Sequence, residues 1–154
     1  MVQLRERPQI SVIGASDADD ETLALARAVG AVIAKRGAVL ICGGLGGIME
    51  AAARGAKENR GVTIGILPSY NADSANPFID IAIPTGLGHA RNVLVAAAGE
   101  VVVAVGGSHG TRSEISMALI LGKPVLGIKA WGQIEGVVQL ESVQDLENAI
   151  MLKS

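Results

Sequence analysis

The chain has 154 residues, a formal net charge of −2, 49% hydrophobic residues and 20 glycines. This length predicts a single domain, 1–154, and the apolar content excludes a disordered chain. The near-neutral charge offers no basic surface for the backbone of a nucleic acid, so we expect no nucleic-acid partner. No apolar run reaches the ~18 residues of a membrane helix and no signal peptide is visible, so we expect a cytoplasmic protein without a membrane partner.

Apolar runs alternate with segments of helical spacing along the chain, and glycine or proline stands at most of the boundaries between them. This alternation predicts an α/β fold: a Rossmann-like, doubly wound and mostly parallel sheet of six to seven strands with helices on both faces. The segment 69–77 is rich in Asn, Asp, Ser and Pro, so it predicts a surface loop and is the best candidate for a lid or a subunit contact. Helices are predicted after the first, second, fourth, fifth and last strands, and those after the fourth and last strands span 89–99 and 142–152. The predicted strands are 9–14, 38–42, 62–68, 79–83, 101–105, 124–128 and 137–140.

Four loops follow the carboxyl ends of predicted parallel strands: 14–16, 43–47, 85–89 and 106–111. In open α/β sheets, ligands bind outside this end of the strands, at the point where the strand order reverses. We therefore expect the four loops to meet at one edge of the sheet and to form a binding crevice there.

The apolar strand at 101–105 runs into a glycine-rich turn, G-G-S-H-G-T at 106–111, and helical spacing follows directly. Such a turn presents backbone N–H groups and a helix N-terminus, which together attract an anion. It therefore predicts a phosphate site, with a flexible connector as the alternative.

The turn G-G-L-G-G at 43–47 lacks the G-x-G-x-x-G spacing of a dinucleotide fingerprint. It predicts either a phosphate contact or tight packing of the strand against the following helix.

Ionisable side chains accompany these loops. Glu114 stands three residues after Thr111, the spacing of a capping box, so its carboxylate either caps the helix or meets a ligand hydroxyl. Arg91 lies in the first turn of a predicted helix, where a cation opposes the helix dipole, so it predicts an anionic partner: a ligand phosphate or a nearby carboxylate. His89 and His109 either donate to phosphate or are ordinary polar residues of their loops.

Cysteine and histidine usage excludes other kinds of site. Cys42 is the single cysteine, so no internal disulfide is predicted, and the apolar run before it predicts a buried, inert thiol. One cysteine and two distant histidines have no metal-ligand spacing, so we expect no metal site.

Taken together, these motifs resemble the LOG-like superfamily, which contains the cytokinin-activating nucleoside 5′-monophosphate phosphoribohydrolases, proteins mislabelled as lysine decarboxylases, and the molybdenum cofactor carrier proteins. The superfamily pattern P-G-G-x-G-T-x-x-E is matched at 106–114, with Gly106 in place of the proline and Ser108 in place of a glycine. Its H-x-R-K appears at 89–92 with asparagine in place of the lysine, and the segment 43–50 is similar to its G-G-x-x-G-L-M. The short chain and the form of the 106–111 turn look closest to the carrier branch.

The resemblance implies a protein that binds a phosphorylated, nucleotide-like small molecule, with the molybdenum cofactor as cargo or a nucleoside monophosphate as ligand. The alternative that it implies is an enzyme, a phosphoribohydrolase that cleaves an N-glycosidic bond with Arg91 and Glu114 as the catalytic pair. Lysine decarboxylation is not expected, because no lysine falls at the crevice to hold pyridoxal phosphate.

A small chain with this apolar content has apolar helix faces to cover, and members of the superfamily associate with one another. We therefore expect a homodimer or a homotetramer. The residues predicted to bind ligand or phosphate are Gly14, Ser16, Gly43, Gly44, Gly46, Gly47, His89, Arg91, Gly106, Gly107, Ser108, His109, Gly110 and Thr111.

Overall fold

Seven strands form one sheet in the computed structural model, which describes residues 7–130 and 134–150. All six pairs of neighbouring strands are parallel. The predicted fold class is therefore confirmed, with the short last strand present. The strands are β1 (Gln9–Gly14), β2 (Val39–Cys42), β3 (Val62–Leu67), β4 (Ile81–Pro84), β5 (Val101–Val105), β6 (Val125–Ile128) and β7 (Val137–Leu140).

The strand order is β4-β3-β2-β1-β5-β6-β7. From β1 the chain builds outward to β4 on one side, and then returns to place β5 on the other side of β1. The order therefore reverses between β1 and β5, whose last residues, Gly14 and Val105, are register partners. A crevice for a ligand is expected at the carboxyl ends of these two strands.

Helices cover both faces of the sheet, as predicted. Buried residues of α1, α2 and α5 pack together with one face, and those of α3 and α4 pack with the other. No helix of the described ranges is both long and apolar enough to cross a membrane. The helices are α1 (Asp20–Lys35), α2 (Ile48–Glu58), α3 (Arg91–Ala98), α4 (His109–Ile120) and α5 (Val143–Ala149), with 3₁₀ turns at Ala72–Ser74 and Gly88–Ala90.

Helices α1 and α2 touch through their backbones. A Cβ atom on Gly55 would lie 1.8 Å from the Arg27 carbonyl oxygen, and one on Gly30 would lie 1.9 Å from that of Ala52. Only glycine permits such an approach. The start of α2 is also fixed to the loop after β1, because Ile48 N donates to the Ala15 carbonyl at 3.0 Å.

Several predicted boundaries differ from the structure. The fourth strand begins at Ile81 rather than at 79, and Asp80 lies in a bend just before it, where its carboxylate accepts from Thr63 N at 3.0 Å. The helix predicted for 89–99 begins at Arg91. The last helix spans 143–149, and its predicted end at Leu152 lies outside the described residues.

The predicted surface loop at 69–77 is largely exposed and includes the first of the 3₁₀ turns. Its end is anchored to the glycine turn after β2: Asn76 N donates to the Gly44 carbonyl at 2.9 Å, and Asn76 Nδ2 donates to the Leu45 carbonyl at 2.8 Å. The loop therefore supports that turn. A role as a lid or a subunit contact stays a prediction.

Candidate functional site

A cavity of about 200 Å³ lies at the carboxyl end of β1, at the reversal of the strand order. Each of the four predicted loops contributes to its wall, so the expectation that they meet at one edge of the sheet is confirmed. The lining residues are Val12, Ile13, Gly14, Ala15, Ser16, Gly43, Leu45, Met49, His89, Arg91, Ser108, Gly110, Thr111 and Glu114.

Arg91 is a fixed cation in the wall of this cavity. The side chain is buried, with 8% of its surface exposed. Its Nε donates to the Ile66 carbonyl at 2.9 Å and its Nη2 to the Gly43 carbonyl at 3.3 Å, while Nη1 donates to Asn92 Oδ1. Backbone carbonyls thus hold the guanidinium in place without neutralising its charge.

Gly43 provides the space that Arg91 occupies. A Cβ atom at this position would lie 2.6 Å from Arg91 Nη2 and 2.7 Å from Met49 Sδ. Both distances are too short for any real side chain, so residue 43 has to be glycine for the guanidinium to lie where it does.

Glu114 lines the same cavity from the second turn of α4. Burial raises the pKa of its carboxyl from 4.5 to about 7, and the positive charge of Arg91 opposes this rise. Burial also lowers the pKa of Arg91, while the carboxylate of Glu114 raises it. Glu114 is therefore a nearby carboxylate whose charge acts on Arg91, and a ligand phosphate stays the other predicted partner of this arginine.

The N-terminus of α4 lies at the cavity, but the helix begins earlier than the capping-box spacing indicates. Ser108 is the N-cap: its Oγ accepts from Thr111 N at 3.2 Å and lies 3.0 Å from Thr111 Oγ1. Thr111 is thus the third helical residue, and the alternative that it forms a capping box with Glu114 is wrong. Because Glu114 is the sixth helical residue, its carboxylate is not engaged at the helix start.

The glycines of the 43–47 turn have different surroundings. Gly44 is buried, and a Cβ there would lie 2.6 Å from Leu67 Cδ2. Gly47 precedes α2 with a φ of 66°, and a Cβ there would lie 2.4 Å from the carbonyl carbon of Ser16. A Cβ on Gly46 would meet no atom within 4 Å. Tight packing therefore explains Gly44 and Gly47, whereas Gly43 alone of these glycines lines the cavity.

The turn at 106–111 is divided between two spaces. Ser108, Gly110 and Thr111 line the cavity, whereas Gly106 and Gly107 line a neighbouring hollow of about 260 Å³ that shares Ala15 with it. His109 is exposed and lies outside the cavity lining. Among the predicted binding residues, the structure brings together Gly14, Ser16, Gly43, His89, Arg91, Ser108, Gly110 and Thr111, along with Glu114.

A second hollow, of about 250 Å³, extends the cavity outward between α3 and α4. The two spaces share His89, Gly110 and Glu114, and the hollow adds Asn92 and Met117 among others. Taken together, their volumes fall in the range of roughly 300–1,000 Å³ that small-molecule sites occupy.

Sequence reasoning missed the apolar part of the wall. Leu45 and Met49 both line the cavity, and Met49 is only 8% exposed. Met49 lies on the apolar face of α2, so the sequence pattern did not distinguish it from a core residue. Asn92 was named only as the residue that replaces a lysine, and its side chain in fact accepts from Arg91.

Cys42 is not part of the site chemistry. The thiol is completely buried, and burial raises its pKa to about 11. It therefore stays protonated at neutral pH, in agreement with the predicted buried thiol.

Comparisons with known proteins match nearly the whole chain. A family model described as the SLOG cluster4 family matches residues 7–153. A relative from Archaeoglobus fulgidus, described as an uncharacterized protein, is 47% identical over 140 residues, which cover 91% of this chain and 92% of the relative. The molybdenum cofactor binding protein of Rippkaea orientalis superposes with a TM-score of 0.89 at 36% identity, over 95% of this chain and 96% of that one. The molybdenum cofactor carrier protein of Chlamydomonas reinhardtii superposes with a TM-score of 0.86 at 34% identity, over 94% and 96%.

Proposed function

The chain belongs to the SLOG cluster4 family, and from that premise we propose that it binds a phosphorylated, nucleotide-like small molecule in the cavity at the end of β1. The resemblance to the LOG-like superfamily, and to its carrier branch, is confirmed by the family match and by the structural neighbours. A binding or carrier protein is the function that the site supports best.

The position of Arg91 carries this proposal. Its guanidinium is buried in the cavity wall and fixed by neutral carbonyls, and the carboxyl that acts on it has a pKa of about 7. A buried cation is costly unless an opposite charge compensates it, and Glu114 is only partly ionised near neutral pH. An anionic ligand beside Arg91 is therefore favoured. The first turn of α4 and the hydroxyls of Ser16 and Ser108 add hydrogen-bond donors of the kind that bind phosphate oxygens.

The cargo that we favour is the molybdenum cofactor, because the two structural neighbours described above are named for binding or carrying it. The donor set fits a phosphorylated pterin. Arg91 and the start of α4 suit a phosphate, while Leu45 and Met49 give an apolar wall against which a flat ring could lie. The cavity together with the hollow between α3 and α4 has the volume that a ligand of this size needs.

A second candidate function is N-glycosidic bond cleavage in a nucleoside 5′-monophosphate. The observation that favours it is the carboxyl of Glu114, whose pKa of about 7 allows it to donate a proton to a departing base at neutral pH. In its ionised form the same group could stabilise an oxocarbenium-like transition state.

One experiment separates the two functions. The purified protein is incubated with AMP, other nucleoside monophosphates and cytokinin monophosphates, and free base is followed by chromatography. Binding of AMP and of the molybdenum cofactor is measured in parallel by calorimetry. Binding without release of base supports the carrier. Release that disappears in Glu114→Gln but persists in Arg112→Ala, a change on the exposed side of α4, overturns it in favour of the enzyme.

The predicted homodimer or homotetramer is also a proposal. It is supported by large apolar side chains that remain exposed in this chain, among them Leu87, Val93, Leu94 and Ile120. The cytoplasmic location stays a prediction.

A further inference from the structure

The carboxyl of Glu114 accepts no hydrogen bond from any residue that the structure describes. It lines both the cavity at the end of β1 and the hollow between α3 and α4, at the place where the two spaces join. Arg91 acts on it through its charge and not through a hydrogen bond. A half-buried carboxyl without donors costs free energy unless another molecule supplies them. Two acceptor oxygens are therefore available to a ligand at this junction.

Asn92 is held in one orientation in the wall of the same hollow. Its Oδ1 accepts from Arg91 Nη1, so the amide nitrogen Nδ2 lies on the side away from the guanidinium. Among the described residues, none accepts a hydrogen bond from Nδ2. The side chain is half-buried and lines the hollow between α3 and α4. The hollow therefore offers a fixed N–H donor group in addition to the two carboxyl oxygens.

Apolar side chains border these polar groups on both helices. Val93 of α3 and Met117 of α4 line the hollow. Val93 is 39% exposed, and Met117 is half-buried. Aliphatic and thioether groups pack well against the faces of a planar ring. The hollow therefore suits a flat heterocycle whose faces meet apolar groups and whose polar edge meets Asn92 and Glu114.

We propose that Asn92 and Glu114 recognise the edge of a 2-amino-4-oxopyrimidine ring, the ring that guanine and the pterins share. Along this edge the ring presents a carbonyl acceptor, a ring N–H donor and an amino donor. Asn92 Nδ2 donates to the carbonyl, and the two oxygens of the Glu114 carboxylate accept from the two N–H groups in charge-assisted hydrogen bonds. The inference rests on the proposed function, because a phosphate bound at Arg91 is what brings the ring to this place.

The same arrangement discriminates against adenine. Adenine has an amino donor where guanine has its carbonyl, and it has an unprotonated ring nitrogen in place of the N–H. Donor would then face donor at Asn92, and acceptor would face acceptor at Glu114. A site that hydrogen-bonds its ligand strongly rejects an analogue that leaves these groups unpaired. Hypoxanthine lacks only the amino group, so it loses a single hydrogen bond.

The test compares ligands that carry the same phosphate and differ in the edge of the ring. Calorimetry on the full chain at pH 8, where Glu114 is mostly ionised, gives the dissociation constants of GMP, IMP, AMP and ribose 5-phosphate. GMP should bind about tenfold more tightly than IMP and roughly a hundredfold more tightly than AMP. Neopterin monophosphate presents the same edge on a pterin, so it should also bind more tightly than AMP. Whichever of GMP and neopterin monophosphate binds more tightly identifies the source of the ring.

Two substitutions should remove the preference for GMP without removing the phosphate site. Glu114→Gln replaces one acceptor oxygen by an amide donor that opposes a ring N–H, and Asn92→Ala removes the donor for the carbonyl. Each should lower the ratio of the AMP to the GMP dissociation constant by about tenfold. Any effect on Arg91 is common to both ligands, so it cancels in this ratio. Ser116→Ala, at an exposed position of α4 outside the lining of the hollow, is the matched control and should leave the ratio unchanged.

The outcomes separate the ring edge from the phosphate site. An affinity for GMP no higher than that for AMP overturns the ring edge and leaves the phosphate site standing. A preference for GMP that survives in both Glu114→Gln and Asn92→Ala does the same. If neither these ligands nor the molybdenum cofactor binds, the proposed function fails and this inference fails with it. The order of GMP, IMP and AMP is measured on the wild type, so the test does not depend on the folding of any variant.

Discussion

Glu114 and Arg91 line the same cavity, yet the pKa of the Glu114 carboxyl is about 7. Burial penalises the carboxylate more than the guanidinium stabilises it, so the Glu114 carboxyl is only partly ionised near neutral pH. The cavity therefore has a surplus of positive charge below neutral pH and a nearly balanced pair above it. An anionic ligand meets a different electrostatic environment on either side of pH 7.

Ligand affinity should consequently depend on the ionisation of Glu114. As the pH rises through 7, the carboxylate forms and repels a phosphate bound at Arg91, so the affinity for AMP should fall by roughly tenfold relative to Glu114→Gln. Calorimetric titrations of both proteins from pH 6 to pH 8 would measure this. Because the ionisation of the ligand is common to both proteins, it cancels in the ratio, and a constant ratio would contradict the prediction.

The same carboxyl should make stability depend on pH. Its pKa is about 7 in the folded protein against 4.5 ordinarily, so between these values the folded chain holds a proton that the unfolded chain has released. Stability from this group is therefore full below pH 4.5, falls as the pH rises towards 7, and is level above it, with a total change of up to roughly 3 kcal/mol. Urea unfolding of the wild type and of Glu114→Gln across this window should give curves that diverge as the pH rises. Parallel curves would show that Glu114 has an ordinary pKa.

Replacement of Gly43 should disturb Arg91 without changing any charge. In Gly43→Ala the new methyl group overlaps Arg91 Nη2 and Met49 Sδ, so the guanidinium has to leave the Gly43 carbonyl. We expect the affinity for AMP to fall by about tenfold or more, because misplacing a charged donor costs about the energy of one such hydrogen bond. Gly46→Ala in the same turn is the matched control, since its methyl group meets open space. Equal effects of the two changes on affinity would show that Arg91 is not the anion ligand.

Arg91→Lys tests whether a positive charge at position 91 is sufficient for anion binding without the geometry of the guanidinium. A lysine keeps the charge but cannot reproduce the fork that reaches two backbone carbonyls, so it would be held less firmly. We expect weaker AMP binding by roughly tenfold in Arg91→Lys and a larger loss in Arg91→Ala, measured by calorimetry. Arg112→Ala, which removes an exposed arginine of α4, should leave the affinity unchanged. An Arg91→Ala protein that binds AMP as well as the wild type would contradict the proposed anion site.

The sequence predicted the elements and the meeting of four loops because both follow from local pattern and from the parallel sheet. It did not predict where α4 begins. Ser108 and Thr111 are both good N-cap residues, and the glutamate at the right distance favoured Thr111. The structure selects Ser108, and Thr111 is instead buried against the cavity with 1% of its surface exposed.

The apolar wall of the cavity could not be predicted from the local sequence pattern either. Met49 has the spacing of a core residue on α2, and only the docking of α2 beside the loop after β1 brings its side chain to the ligand space. The pKa of Glu114 likewise depends on burial by several elements together. Properties that arise from tertiary packing leave no periodic signal in the sequence.

The backbone contact between α1 and α2 leads to a last prediction, on stability. Glycine within a helix normally costs about 1 kcal/mol relative to alanine, so an ordinary change from glycine to alanine would stabilise the protein. In Gly55→Ala the methyl group would lie 1.8 Å from the Arg27 carbonyl oxygen, and α2 would have to move away from α1. We expect Gly55→Ala to lower the free energy of unfolding by roughly 1–3 kcal/mol in urea titrations, since overpacked interiors lose about this much.

Gly55→Ala should also affect ligand binding in the cavity at the end of β1. Because α2 is tied to Ala15 at its first residue, its displacement in Gly55→Ala should weaken AMP binding as well. Ala24→Gly, on the exposed side of α1, would report the intrinsic cost of glycine alone and should leave the affinity unchanged. A more stable Gly55→Ala protein would show that the two helices are not in backbone contact.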